Sequence, residues 1–146
     1  MCGIIVTNNH VLENELTSWV YKLKHRGPDG ISYYQNENVR MAFSRLAIND
    51  PSELGMQPIV TDECISMING EIYNHKEIRD RYKLKYSGDA DTNVVGPFYE
   101  VLKENIINHM DGFYSGIIFD KQTQKLLTLR DYLGKKGLFI VKSGKK

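Results

Sequence analysis

The chain opens Met-Cys-Gly-Ile-Ile-Val, which places a thiol directly after the first methionine. Initiator methionine is commonly cleaved when a small residue follows, and cleavage here leaves Cys2 carrying both a thiol and a free α-amine. Such an amine ionises at about 7.7–8.0, so near pH 7 part of it is neutral and can accept a proton. A thiol, which ordinarily ionises at about 8.5, can attack an amide carbon beside such a base with no histidine involved. This is the N-terminal variant of the nucleophile–base pair. The opposing reading is an incidental buried residue, because cysteine is among the most buried residue types. One residue does not decide between the two.

A nucleophile of this kind needs elements to hold it. The apolar run over 3–6 predicts a buried strand. Leu16, Trp19, Val20 and Leu23 recur at helical spacing and predict a helix over 14–24 with Asn14 as its N-cap. Gly27, Pro28 and Gly30 break regular structure over 25–30, and strands follow over 31–35 and 39–44. Residues 50–51 and 55–58 form a loop. Residues 64–68 alternate like a strand and run into Asn69-Gly70, a pair that by itself signals a turn. Helices are expected from about His75 and over 91–104, then strands over 114–120, 125–130 and 137–141. No repeat or low-complexity segment appears. This order suits stacked layers of helix and sheet.

The bulk numbers exclude several classes of function. With 146 residues one domain is expected, and 41% hydrophobic and 25% charged residues are ordinary for a globular chain. At this length roughly 70% of the unfolded chain's surface can be buried. Nineteen Lys and Arg against 18 Asp and Glu give no electrostatic case for nucleic acid or an anionic membrane. The basic end, 142–146, reads as a solvated tail. No apolar run approaches the ~20 residues that cross a bilayer, and the N-terminus lacks the pattern of a secretory signal. Two cysteines, Cys2 and Cys64, make no disulfide framework and fit a reducing cytoplasm.

Several short strings occur in a fixed order: Cys2-Gly3-Ile4, His25-Arg-Gly-Pro-Asp29, Arg45-Leu46 before Asp50, Gln57-Pro58, and Asn69-Gly-Glu-Ile-Tyr-Asn-His75. Asp91 with Val94 and Val95, Asp111-Gly112-Phe113, and Arg130-Asp131 with Leu133-Gly134 follow. This set resembles the class II glutamine amidotransferase domains, which are N-terminal nucleophile hydrolases. Within that group it is most similar to the glutaminase domain of asparagine synthetase. The resemblance implies an α+β fold with αββα layers, two antiparallel sheets between helices, shortened at the C-terminus. It implies one glutaminase domain over 1–146 without a synthetase domain, glutamine as substrate, and a separate ATP-dependent synthetase or acceptor domain as partner. No cofactor and no metal are expected.

The same resemblance implies a role for each matched position. Cys2 forms a thioester with the side-chain carbonyl of glutamine and expels ammonia. The Asn69 amide and the Gly70 N–H form the oxyanion hole, donors worth roughly 2.7–4 kcal/mol each when aimed at developing charge. Arg45 holds the substrate α-carboxylate, and Asp91 and Glu71 hold its α-ammonium. Bland alternatives stand beside these roles: a turn at Asn69-Gly70, an ion pair of Arg45 with Asp50, and an N-cap at Asp91. Arg26 either orders the site or simply bonds backbone carbonyls. His25, His75 and Cys64 are read as structural.

Two positions depart from the family pattern. Phe43 stands where a histidine is usual, which implies altered packing near the pocket, and Lys136-Gly-Leu-Phe139 replaces a Lys-Pro-Leu-Tyr-like segment. A non-enzymatic alternative remains, a weak or inactive glutamine-binding regulatory or scaffold subunit. So does hydrolysis of a different amide, although a cation paired with anions suits a free amino-acid end.

Overall fold

A computed structural model describes residues 1–8 and 11–141; the basic end at 142–146 lies outside them. The strands are Gly3–Asn8 (β1), Gly30–Gln35 (β2), Val39–Arg45 (β3), Ile59–Val60 (β4), Cys64–Ile72 (β5), Gly112–Asp120 (β6) and Lys125–Arg130 (β7). The helices are Glu13–Lys22 (α1), His75–Tyr82 (α2) and Val95–Leu102 (α3). All strand pairs are antiparallel, in two sheets ordered β1-β3-β2 and β4-β5-β6-β7.

Side chains alternate across a strand, so each sheet feeds two layers of core. Between the sheets, Met41 and Phe43 of β3 meet Ile65 and Met67 of β5 and Ile117 and Phe119 of β6, with Cys2, Ile4 and Val6 alongside. Leu16 and Val20 of α1 cover Ala42 on the outer face of the first sheet. Ile78 of α2 and Val95, Phe98 and Tyr99 of α3 cover Cys64, Ile68, Ile72 and Ile118 on the outer face of the second. The result is helix, sheet, sheet, helix, as expected. Phe43 is 1% exposed in the inter-sheet layer, where cutting it to alanine costs about 3–5 kcal/mol.

Four local expectations are corrected. The helix expected to begin at Asn14 begins earlier, because Leu12 is extended and its N–H is taken by the Glu15 carboxylate at 3.0 Å. Leucine has no acceptor to return, so this is half of a reciprocal cap. The single helix over 91–104 is three pieces, a 3-10 turn at Asp91–Val94, α3, and a 3-10 stretch at Lys103–Asn108. Pro97 explains the first break, since proline is tolerated in a helix's first turn and not deep inside it. Asn69-Gly70 is no turn, because β5 runs through both residues to Ile72. The strand expected over 137–141 is absent, and Phe139 and Val141 are about nine-tenths exposed.

Two glycines let β5 and β6 run together to the end of their ladder. Gly70 and Gly112 both have φ of +153°, and a Cβ would fall 2.0 Å from Phe113 O at Gly70 and 2.1 Å from Glu71 O at Gly112. Gly112→Ala is therefore expected to cost about 2 kcal/mol or more through backbone strain and overlap. A fall in Tm of roughly 5–10 °C in calorimetry is the expected outcome, and an unchanged Tm would contradict this account.

Candidate active site

The inter-sheet layer changes character at one end. In β3 the stripe Met41, Phe43 continues to Arg45; in β5 the stripe Ile65, Met67 continues to Asn69 and Glu71. Cys2 extends the stripe Val6, Ile4 just before β1 begins, one step beyond the Gly3–Ser44 pair. Alternation therefore carries the thiol, the guanidinium and the amide to the same end of the two sheets. Cys2, Arg45, Asn69, Gly70, Glu71 and Asp91 all line one cleft there, with Phe43 at its base and Phe113 and Lys136 on its wall.

Cys2 is partly buried and unbridged. Leu46 N–H donates to Sγ at 3.4 Å, and Leu46 O lies 3.8 Å from the same sulfur. Arg26 lies outside the lining, and its Nε donates to Cys2 O at 3.3 Å. Both readings of Arg26 meet here: it is a loop arginine on a backbone carbonyl, and that carbonyl belongs to Cys2.

The bland alternatives for the other residues fall away. Arg45 is 5% exposed, and its Nη2 donates to the backbone carbonyl of Asp50 rather than to the carboxylate. That carboxylate is occupied by the N–H and hydroxyl of Ser52, at 2.9 and 2.6 Å, and by Asp89 N–H at 2.9 Å. Asp91 is not a cap, since Ala90 holds that position. Instead its carboxylate accepts Ile72 N–H at 2.6 Å and Asn49 Nδ2 at 2.7 Å, tying the 3-10 turn to the end of β5. The Glu71 carboxylate has no hydrogen-bond partner among the described residues, which leaves it available to a cation. No group of three or more metal-binding side chains occurs among the described residues.

The surrounding titrations agree with structural roles. The Ser52 hydroxyl, then Asp89 N–H and Ser52 N–H, hold the Asp50 carboxyl below the usual carboxylate range. Burial keeps the His75 imidazole below its ordinary range against the pull of Asp91. His25 bonds Lys22 O through Nδ1 at 2.9 Å. Cys64 lies in the outer core, where burial pushes its thiol up to about 11.

Sequence reasoning passed over three residues. Gln57 Nε2 donates to Ile68 O at 3.0 Å and to Thr92 Oγ1 at 3.3 Å, while its Oε1 accepts Ile68 N–H at 2.6 Å. It thus fixes β5 one residue before Asn69. Asn49 orients Asp91, and Lys136 reaches the cleft from just before the segment read as strand over 137–141. Gln57-Pro58 stood among the ordered strings and Lys136 opened the Lys136-Gly-Leu-Phe139 segment, so a signal was present for both without a role; Asn49 had none.

Known proteins decide the relationship. The model of the glutamine amidotransferase domain matches residues 1–146. This chain belongs to that family. It is 32% identical over 148 aligned positions to asparagine synthetase (glutamine-hydrolysing) 1 of Arabidopsis thaliana, covering 96% of this chain and 25% of that one. The corresponding protein of Brassica oleracea is 33% identical over the same shares. Asparagine synthetase 1 of Lotus japonicus is 35% identical across 82% of this chain and 21% of its own length. The domain thus spans about a quarter of these relatives and is homologous to part of glutamine-hydrolysing asparagine synthetases.

Two outcomes follow from this geometry. Brief iodoacetamide treatment at pH 7.5 is expected to label Cys2 alone in the folded chain and both cysteines once it is unfolded, as read by peptide mass. Early labelling of Cys64 in the folded chain would contradict its placement. For Asp50 the folded carboxyl ionises below its unfolded value of about 3.9, so its contribution is present above that pH and lost as pH falls through the folded value. Asp50→Asn should therefore unfold at lower urea than the native chain at pH 7, with the gap closing toward pH 3.

Proposed function

We propose that this domain hydrolyses the side-chain amide of glutamine through Cys2 and releases ammonia for a synthetase. The observation that carries the reading is the convergence of Cys2, Arg45, Asn69, Gly70, Glu71 and Asp91 on one cleft. Free glutamine has a carboxylate and an ammonium at one end and an amide at the other. Arg45 suits the first, Glu71 with Asp91 the second, and Cys2 the third.

The chemistry begins once Met1 is removed. The Cys2 α-amine takes the Sγ proton, and Sγ attacks the amide carbon. The resulting oxyanion is met by Asn69 Nδ2 and Gly70 N–H. As the carbonyl reforms, the C–N bond breaks, and the nitrogen leaves as ammonia with the proton held by the α-ammonium. Water, deprotonated by the same amine, then attacks the thioester carbon. Glutamate leaves, and the proton returns to sulfur. Arg26 fixes the peptide of Cys2 and touches no reacting atom.

The relatives are named as asparagine synthetases that hydrolyse glutamine, so an ATP-dependent, asparagine synthetase-like enzyme is the proposed consumer of the ammonia, and aspartate its default acceptor. A cytoplasmic setting fits the two free cysteines. No helix among the described residues is long and apolar enough to cross a membrane.

The test pairs intact mass with glutamate release from glutamine. A native chain lacking Met1 should form glutamate, and Cys2→Ala should form none. Asn69→Ala should lower kcat by roughly 10²–10³-fold, and Arg45→Met should act mainly by raising KM. A processed native chain that binds glutamine without turnover, alone and with synthetase partners, would replace this reading with that of a glutamine-binding subunit.

A further inference from the structure

Lys136 belongs to no regular element, yet its backbone is fixed. Arg130 of β7 donates through Nε to Lys136 O at 3.0 Å and through Nη2 to Gly134 O at 2.7 Å. Asp131 takes Lys135 N–H at 3.3 Å on the other side of the turn. The Lys136 ammonium then lies 4.6 Å from the centre of the Phe113 ring and 2.9 Å from the sulfur of Met1. On the opposite flank, Arg26 holds Cys2 O and approaches the same Met1 sulfur at 3.9 Å. Two cations from distant parts of the chain thus meet at the side-chain sulfur of the residue whose removal uncovers the α-amine.

Neither cation is neutralised. Among the described residues the ion pairs are Arg79–Asp80 and Lys103–Glu63. A ring face holds an ammonium without cancelling its charge as a carboxylate would, and Phe113 holds a second one, Lys135, at 4.4 Å. The other charged groups around the cleft are accounted for. Asp50 is bonded to Ser52 and Asp89, Asp91 to Ile72 and Asn49, and Asp29 to Ala47 N–H. With glutamine bound as proposed above, Glu71 and Asp91 meet its ammonium and Arg45 meets its carboxylate. Arg26, on the carbonyl of Cys2, and Lys136, on the wall of the cleft that Cys2 lines, are left over, both positive.

We infer that Lys136, acting with Arg26, holds the α-amine of processed Cys2 toward its neutral form, so that the amine is ready to take the Sγ proton. A neighbouring like charge disfavours the charged state. At the spacing of adjacent side chains near a surface, one such charge moves an ionisation by about half to one pH unit. The ammonium formed on taking the thiol proton is also the donor to departing ammonia, and the same field favours that return. Lys136 is thus a positioning residue acting through the amine, and the inference rests on the Cys2 reading above.

The experiment uses the full chain with Met1 removed, verified by intact mass, as native, Lys136→Met and Lys136→Arg forms. The rate of acetylation of the Cys2 α-amine by acetic anhydride is followed against pH on the N-terminal peptide. In Lys136→Met the midpoint should rise by about half to one pH unit, and Lys136→Arg should restore it. The acid limb of kcat for glutamine hydrolysis should move by the same amount. Identical midpoints in all three proteins would overturn the inference whether or not glutamine is turned over. A shifted midpoint in a chain silent toward glutamine would uphold the electrostatics and instead overturn the proposed function.

Discussion

Everything at the cleft depends on the packing of two facing sheets through a single layer of alternating side chains. Ile4 and Val6, Met41 and Phe43, and Ile65 and Met67 share that layer. Sliding one strand by a residue would turn its whole stripe to the opposite face. The apolar residues therefore set the register, and the polar residues that continue the same stripes have no freedom of their own. Cys2, Arg45 and Asn69 arrive together because the hydrophobic residues behind them must. The free energy that fixes the reactive geometry thus comes from burial in the core, with few contacts among the reactive groups themselves.

Where the stripes end, the backbone takes over. Asp91 is drawn onto the N–H of Ile72 and the amide of Asn49, and Arg45 is held by a carbonyl at Asp50. Each charged side chain is oriented by a neutral dipole, so its net charge remains available to something else. Ion pairing within the site would have given the same rigidity at the cost of that availability. The stretch between β3 and β4 is ordered for this reason, through Ser52, Asp89 and Leu54 contacts that use up the Asp50 carboxylate and, with Ser87 O, the two N–H donors of the Asn93 amide.

Much of this was legible from the chain alone. The bounds of β7 follow from its composition, and the ordered strings fix the fold family and the cleft-lining residues. What failed to show is equally specific. Asn69-Gly70 carries a strong local turn preference that nine residues of pairing with β6 override. Pro97 divides a stretch whose apolar spacing is continuous. Gly137–Val141 has the apolar character of a strand, but no described strand pairs with it, and propensity without a partner gives no ladder. Asn49, Gln57 and Lys136 act through side-chain contacts made across 11 to 135 residues of chain, and hydrophobic periodicity carries no record of such a contact.

The two hydrogen bonds between Gln57 and Ile68, one donated by each, have a further meaning for the second sheet. β4 is only two residues long, and its pairing with β5 stops at Ile59 opposite Ser66. Pro58, the next residue back, has no N–H to extend the ladder. One place further, the side-chain amide of Gln57 presents the same donor and acceptor that a peptide unit would. At Ile68 the strand is flanked on both sides, by β6 on one and by this substitute, which takes both backbone groups of Ile68, on the other. The edge of the strand that carries Asn69 is therefore taken up at Ile68 by Gln57 and at Ile72 by Asp91, so a foreign extended chain finds only a broken template there on which to add itself.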